Sequence, residues 1–198
     1  MVKLLPLEEA RRRGAQVGIP REWASVNALR AMLNHPEGAG AVARLLTTLL
    51  YKNRVDARLR ELIILRIGWR AGAEYEFCQH VAAAKRIGMK EQEILGVRDP
   101  AHCSVYSELD RTIIKMTDEL LDGFEISPAT RAILERSFTP EQFVELLLAV
   151  SNWRLFAIFL KNVEVPLDPG VPSWPEGRAP AQRRPRRRAA AKKVFPAS

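Results

Sequence analysis

Glu76 and His80 stand four residues apart in the run Tyr75-Glu76-Phe77-Cys78-Gln79-His80. On a helix that spacing puts a carboxylate and an imidazole on one face, within reach of each other. A carboxylate beside an imidazole raises its pKa and fixes its tautomer. Glu61 belongs to the preceding helical stretch, Arg60-Glu61-Leu62-Ile63-Ile64-Leu65-Arg66, and a short turn containing Gly72 joins the two. Helices joined so tightly generally pack antiparallel. Glu61 lies 11 residues before Gly72 and His80 lies 8 after it, so the three side chains can meet across the interface. Two carboxylates and one imidazole, sheltered between apolar helices, form an acid–base group suited to moving a proton at a small substrate. A lone Glu–His pair at this spacing is otherwise an ordinary surface pair worth a few tenths of a kcal/mol. The apolar run around Glu61 argues against a water-exposed position. The same three groups could offer ligands to a divalent ion. His35 and His102, the other histidines, have no ligand spacing to His80, so the expected site holds neither metal nor cofactor.

The elements that must position this group read as helices, and no period-2 run bounded by hairpin turns suggests a strand. Helical patterns cover Arg21–Leu33, Gly38–Lys52, Asp56–Arg70 (Asp56 as cap), Glu74–Ile87 (closed by Gly88), Lys90–Leu95 and Ser104–Leu121. Ser127-Pro128 and Thr139-Pro140-Glu141-Gln142 then mark two helix starts, the second with a capping box. The last helix runs to Val163. Pro166, Pro169, Pro172 and Pro175 follow, and the fold is expected to end there. The fold class is all-α, a single-domain helical bundle around one core.

Composition fits that reading. Of 198 residues, 47% are apolar and 27% charged, which suits one globular domain. Two cysteines, Cys78 and Cys103, build no disulfide framework, so a reducing, cytoplasmic setting is expected. The N-terminus shows no secretory signal. The longest apolar stretch, Leu146–Leu160, is interrupted by Asn152 and Arg154, and membrane insertion is not expected. The net charge of +8 sits wholly in residues 178–198, which carry eight basic and no acidic side chains. Residues 1–177 hold 23 basic against 23 acidic side chains and form the expected helical domain. An Ala-, Pro- and Arg-rich tail cannot bury enough to offset its ordering. It reads as a disordered extension, either simply solvated or a weak tether for polyanions.

The stretch Arg54–Gly96 resembles the carboxymuconolactone decarboxylase / alkyl hydroperoxidase D-like family. The likeness is to its subgroup with a Tyr-Glu-Trp-x-x-His pattern, met here by Tyr75-Glu76-Phe77-Cys78-Gln79-His80. The Arg60-Glu61 opening, the apolar run after it and the Gly88 break agree, as do Leu120-Leu121, the Ser127 cap and Val163–Asp168 less specifically. The resemblance implies an all-α fold of the alkyl hydroperoxidase D-like type, a homo-oligomer, a small-molecule substrate and a site between the two central helices. In the family's hydroperoxidases a glutamate precedes a C-x-x-C pair and a histidine follows. The glutamate falls on Glu61 and the histidine on His80, but the cysteine positions fall on Ala73 and Glu76. Thiol peroxidase chemistry needs both sulfurs. Cys78 lies two residues from both Glu76 and His80, on the opposite side of the helix, and reads as a packing residue.

The leading expectation is therefore a carboxy-lyase or isomerase-like enzyme doing decarboxylation, isomerisation or lactone chemistry on a small carboxylated or enolisable molecule. His80 is the general acid/base, Glu76 its partner or a second base, and Glu61 the orienting carboxylate. Tyr75, through its phenol, and Trp153 are the expected substrate-binding residues. Trp153 belongs to an aromatic series with Phe156 and Phe159 that otherwise packs the core or a subunit interface. Decarboxylation also needs a sink for enolate charge; Arg58 and Arg66 are near in sequence, but neither can be assigned to the Glu61 face. The alternatives are a peroxidase, disfavoured by the missing cysteines, and a non-catalytic binding subunit.

Overall fold

The computed structural model describes residues 2–175 and 179–180, and these contain helices and no strand. The chain order is α1 Leu7–Gln16, α2 Asn27–Met32, α3 Pro36–Tyr51, α4 Ala57–Ala71, α5 Glu74–Arg86, α6 Glu91–Gly96, α7 Glu108–Gly123, α8 Pro128–Ser137 and α9 Pro140–Val163. The expected tail lies outside the described residues save Ala179 and Pro180.

Helix α4 is the axis. Asp56 caps it by accepting from the Arg58 and Leu59 amides, and Gly72 closes it in the left-handed region at φ 59°. Every residue from Leu59 to Gly68 is buried, because α5, α7 and α9 cover it on three sides. The side facing α7 is held by charge. Arg58 donates to Asp110 and Glu93, Arg66 grips Asp118 with two nitrogens, and Arg70 reaches Asp118 and Asp122.

On the side facing α5, Gly68 lets the two backbones close. A Cβ placed there would lie 2.9 Å from the Phe77 amide nitrogen and 3.0 Å from its Cα. Gly68 and Glu61 are seven residues apart, on one stripe of the helix, so the contact that admits α5 also brings His80 to Glu61.

Some boundaries differ from expectation. Arg21–Leu33 is not one helix: a 3-10 turn at Trp23–Ser25 is separated from α2 by an extended Val26, ψ 145°. Helix α1 escapes the periodicity argument because Leu7–Gln16 is mostly charged and small. Helix α7 begins at Glu108 rather than Ser104, since Ser107 and Asp110 form a reciprocal capping box. The prolines after Val163 end the helix but not the fold. The segment after α9 packs back across α5, with Trp174 against Trp69 and Phe77 at ring centroid distances of 5.9 and 5.1 Å.

Helix α9, 24 residues, exceeds the apolar stretch within it and is long and apolar enough to cross a membrane by length and composition. Its inward side, with Asn152, Trp153, Phe156 and Leu160, is buried in the bundle. Val144, Leu148, Leu155 and Ile158 are exposed on the other side.

Candidate active site

Glu61 and His80 meet. The imidazole Nδ1 lies 2.7 Å from Glu61 Oε2, so Nδ1–H donates to the carboxylate and the tautomer is set. Glu61 is 3% exposed and His80 19%. Behind the pair, the Arg60 guanidinium lies 3.6 Å from Glu61 Oε1 and donates to the Leu49 carbonyl. Burial is the largest influence on His80 and disfavours the imidazolium, but the charge and hydrogen bond of Glu61, with the charge of Glu76, outweigh it and raise the pKa.

Glu76 is buried, and its Oε1 has no partner among the described residues. Burial pushes its carboxyl up to about 8, opposed by the charge of His80 and reinforced by that of Glu61. At neutral pH it is mostly a neutral acid, able to donate one hydrogen bond.

Both Glu76 and His80 line a pocket of about 190 Å³ between α5 and α9. Val26, Ala28, Leu46, Leu50, Phe156 and Leu160 make it apolar. Trp153 lies edge-on to the His80 ring, with centroids 6.1 Å apart and planes at 87°. Phe156 shares this wall and Phe159 does not. Asn152 is buried next to Trp153 in sequence but is not a lining residue, and Asn162 lines a different cleft.

Tyr75 lines the pocket with its ring, but its phenol is engaged elsewhere. The hydroxyl donates to Asp168 Oδ2 at 2.5 Å and accepts from the Ala28 amide at 3.2 Å. Burial first, then Asp168, raises its pKa. The Gln79 side-chain amide also donates to Asp168, and Asp168 Oδ1 accepts from the Asn27 amide at 2.8 Å.

Sequence reasoning gave no role to Arg60, Gln79 or Asp168. Arg60 and Gln79 adjoin Glu61 and His80 and could have been considered. Asp168 lies in a proline-rich segment, where nothing in the local pattern points to it. Arg58 and Arg66 are both engaged against α7 and line no part of the pocket.

Cys78 and Cys103 are free and buried. Neither lines the pocket, and burial pushes the Cys78 thiol up to about 12, far from the reactive thiolate range. Among the described residues, no cluster of three or more His, Cys, Asp or Glu has the arrangement of a metal site.

Residues 36–119 match the carboxymuconolactone decarboxylase family. The likeness to this family covers that segment of the chain. The match spans α3 to most of α7 and so includes Glu61, Glu76 and His80.

Comparison with curated proteins found no match. Several solved structures share the fold. A peroxidase-related protein from Silicibacter sp. superposes with a TM-score of 0.69 at 15% identity, covering 86% of this chain and 93% of that one. The alkylhydroperoxidase AhpD core of a peroxidase-related protein from Ralstonia eutropha gives 0.70 at 14% identity, covering 84% and 91%. The debrominase Bmp8 gives 0.69 at 15% identity, covering 85% and 92%. The fold is thus the all-helical, alkyl hydroperoxidase D-like one.

Proposed function

We propose that this chain is an acid–base enzyme that moves a proton to and from carbon in a small enolisable molecule bound beside His80. The observation that carries the reading is the 2.7 Å Glu61–His80 contact opening onto an apolar pocket that also holds the unpartnered Glu76 carboxyl. Glu61 holds Nδ1, so Nε2 is the ring nitrogen left to take or give the substrate's proton. Neutral Glu76 donates to the oxygen on which enolate charge develops, a role that suits a carboxylic acid kept protonated by burial. A lyase or isomerase outcome depends on which bond the enolate then re-forms or has lost.

Thiol peroxidase activity is disfavoured because the positions of the family's two redox cysteines hold Ala73 and Glu76 and the remaining cysteines are buried away from the pocket.

The experiment is hydrogen–deuterium exchange at the α-carbons of cyclohexanone in heavy water, followed by proton NMR. Catalysed exchange that is lost in His80→Ala supports the reading; exchange equal in both proteins, or no faster than in buffer, overturns it.

Self-association belongs to the same proposal. The exposed residues Val144, Leu148, Leu155 and Ile158 on α9 stand four, seven and three apart, in the frame that one helix offers another with Ser151 at the intervening place, and a second copy is the occupant we assign to them. Light scattering on the wild type and on Leu148→Glu/Ile158→Glu tests this: a larger species that falls to monomer supports it, and a monomeric wild type refutes it.

A further inference from the structure

We infer that the pocket beside His80 selects an uncharged, one-ring molecule bearing a single hydrogen-bonding oxygen, and discriminates against carboxylates. The inference rests on the reading of this pocket as the substrate site and names the class of substrate it takes.

Size comes first. The pocket holds about 190 Å³, and an apolar cavity of roughly 150 Å³ accommodates benzene. One ring with one small substituent fits within it.

Hydrogen-bonding capacity decides the rest. Five lining residues carry polar groups suited to bonding a ligand's oxygen: Tyr75, Glu76, Gln79, His80 and, through its indole N–H, Trp153. The Tyr75 hydroxyl and the Gln79 amide both donate to Asp168, and His80 Nδ1 is held by Glu61. His80 Nε2 and the Glu76 carboxyl remain as the pair that can serve one ligand oxygen, with the Trp153 indole N–H as a further donor. A phenol or ketone oxygen is satisfied by that pair. A carboxylate brings two oxygens with about four acceptor sites, and those left without a donor in an apolar pocket are costly.

Charge acts in the same direction. Among the described residues, no lysine or arginine lines the pocket. Arg60 stands behind Glu61, engaged with it and with the Leu49 carbonyl, while Arg58, Arg66 and Arg70 are paired on the α7 side. The charged acids near the pocket are Glu61 and Asp168, so an anionic ligand approaches two carboxylates and one imidazole whose charge Glu61 already balances. The carboxylated substrate expected from the sequence is therefore the poorer fit of the two classes considered.

Calorimetric titration of the full chain at pH 7 with phenol, benzamide and benzoate separates the contributions, since the ring is constant and only the polar group changes. Phenol binding at least ten-fold tighter than benzoate, with benzamide between them, is the expected order, in line with one unsatisfied buried acceptor. Leu50→Trp, at a half-buried lining position, is expected to weaken phenol at least ten-fold with an unchanged circular dichroism spectrum. Benzoate binding as tightly as phenol, or phenol binding that ignores Leu50→Trp, overturns the inference. These are binding measurements, so they stand or fall independently of ketone exchange. Selective phenol binding without exchange would sink the proposed chemistry alone, and exchange with unselective binding would sink this inference alone.

Discussion

The Glu61 carboxylate holds His80 by Nδ1 at 2.7 Å across the α4–α5 interface, and that single contact sets the tautomer of the ring. Glu61 does not line the pocket. Any effect it has on a molecule in the pocket passes through the imidazole.

Glu61→Gln therefore keeps the shape and removes the charge. The His80 pKa should fall, because burial then acts with less opposition. Ketone exchange should drop on the order of 100-fold, within the usual range for a general acid–base group, while phenol affinity changes only a few-fold. Titration of the His80 ring carbons by NMR reads the first effect, and a ring pKa unchanged from the wild type would contradict the assignment.

Glu76 makes stability depend on pH. Its native pKa, about 8, lies above the ordinary 4.5, so the folded state binds its proton more tightly than the unfolded chain. The stabilisation is fully present below about pH 4.5 and is lost as pH rises through about 8. Glu76→Gln cannot ionise, so its stability relative to wild type should improve across that window. At pH 8.5 its melting temperature should exceed the wild-type value by about 3 °C or more. Parallel melting curves at pH 5 and pH 8.5 check it.

Tyr75→Phe separates a structural hydroxyl from a substrate-binding one. Losing the bond to Asp168 should cost about 1–2 kcal/mol while the exchange rate at saturating ketone stays within two-fold. A rate lost in proportion to a catalytic group would return the phenol to the substrate.

Cys78→Ala/Cys103→Ala should leave ketone exchange intact. Thiol-dependent peroxide reduction should be absent from both proteins. Peroxide turnover by the wild type that the double variant lacks would restore the sulfur chemistry rejected above.

Gly68→Ala tests the helix contact itself. The added methyl meets the Phe77 backbone, which cannot rotate away, so α5 must move. A loss of about 1–3 kcal/mol and a weakened Glu61–His80 hydrogen bond should accompany each other, the second seen as a displaced Nδ1 proton resonance.

Much of this site was legible because its key groups are local. Glu76 and His80 are four residues apart, and Glu61 is one short turn away, so helix geometry alone brought them together. Capping residues Asp56, Ser127 and Thr139 were equally readable, since a cap bonds to its own neighbours. What failed was long-range. Asp168 is 93 residues from Tyr75, and no local pattern announces that one will take the other's proton donor. Arg58 and Arg66 could not be assigned because every face of α4 is covered, which removes the contrast between wet and dry sides that orients an amphipathic helix. The capping box at Ser107 shifted the start of α7 for the simpler reason that Ser104 offered a competing hydroxyl.

The segment after α9 has a consequence for the order in which the molecule is made. Asp168 joins Asn27 near the beginning of the chain to Tyr75 and Gln79 in its middle. On a ribosome, α4 and α5 can pair, with their acid and imidazole in register, well before residue 168 emerges. The wall beside them is fastened only afterwards, so in a nascent chain the Glu61–His80 pair precedes the pocket that encloses it.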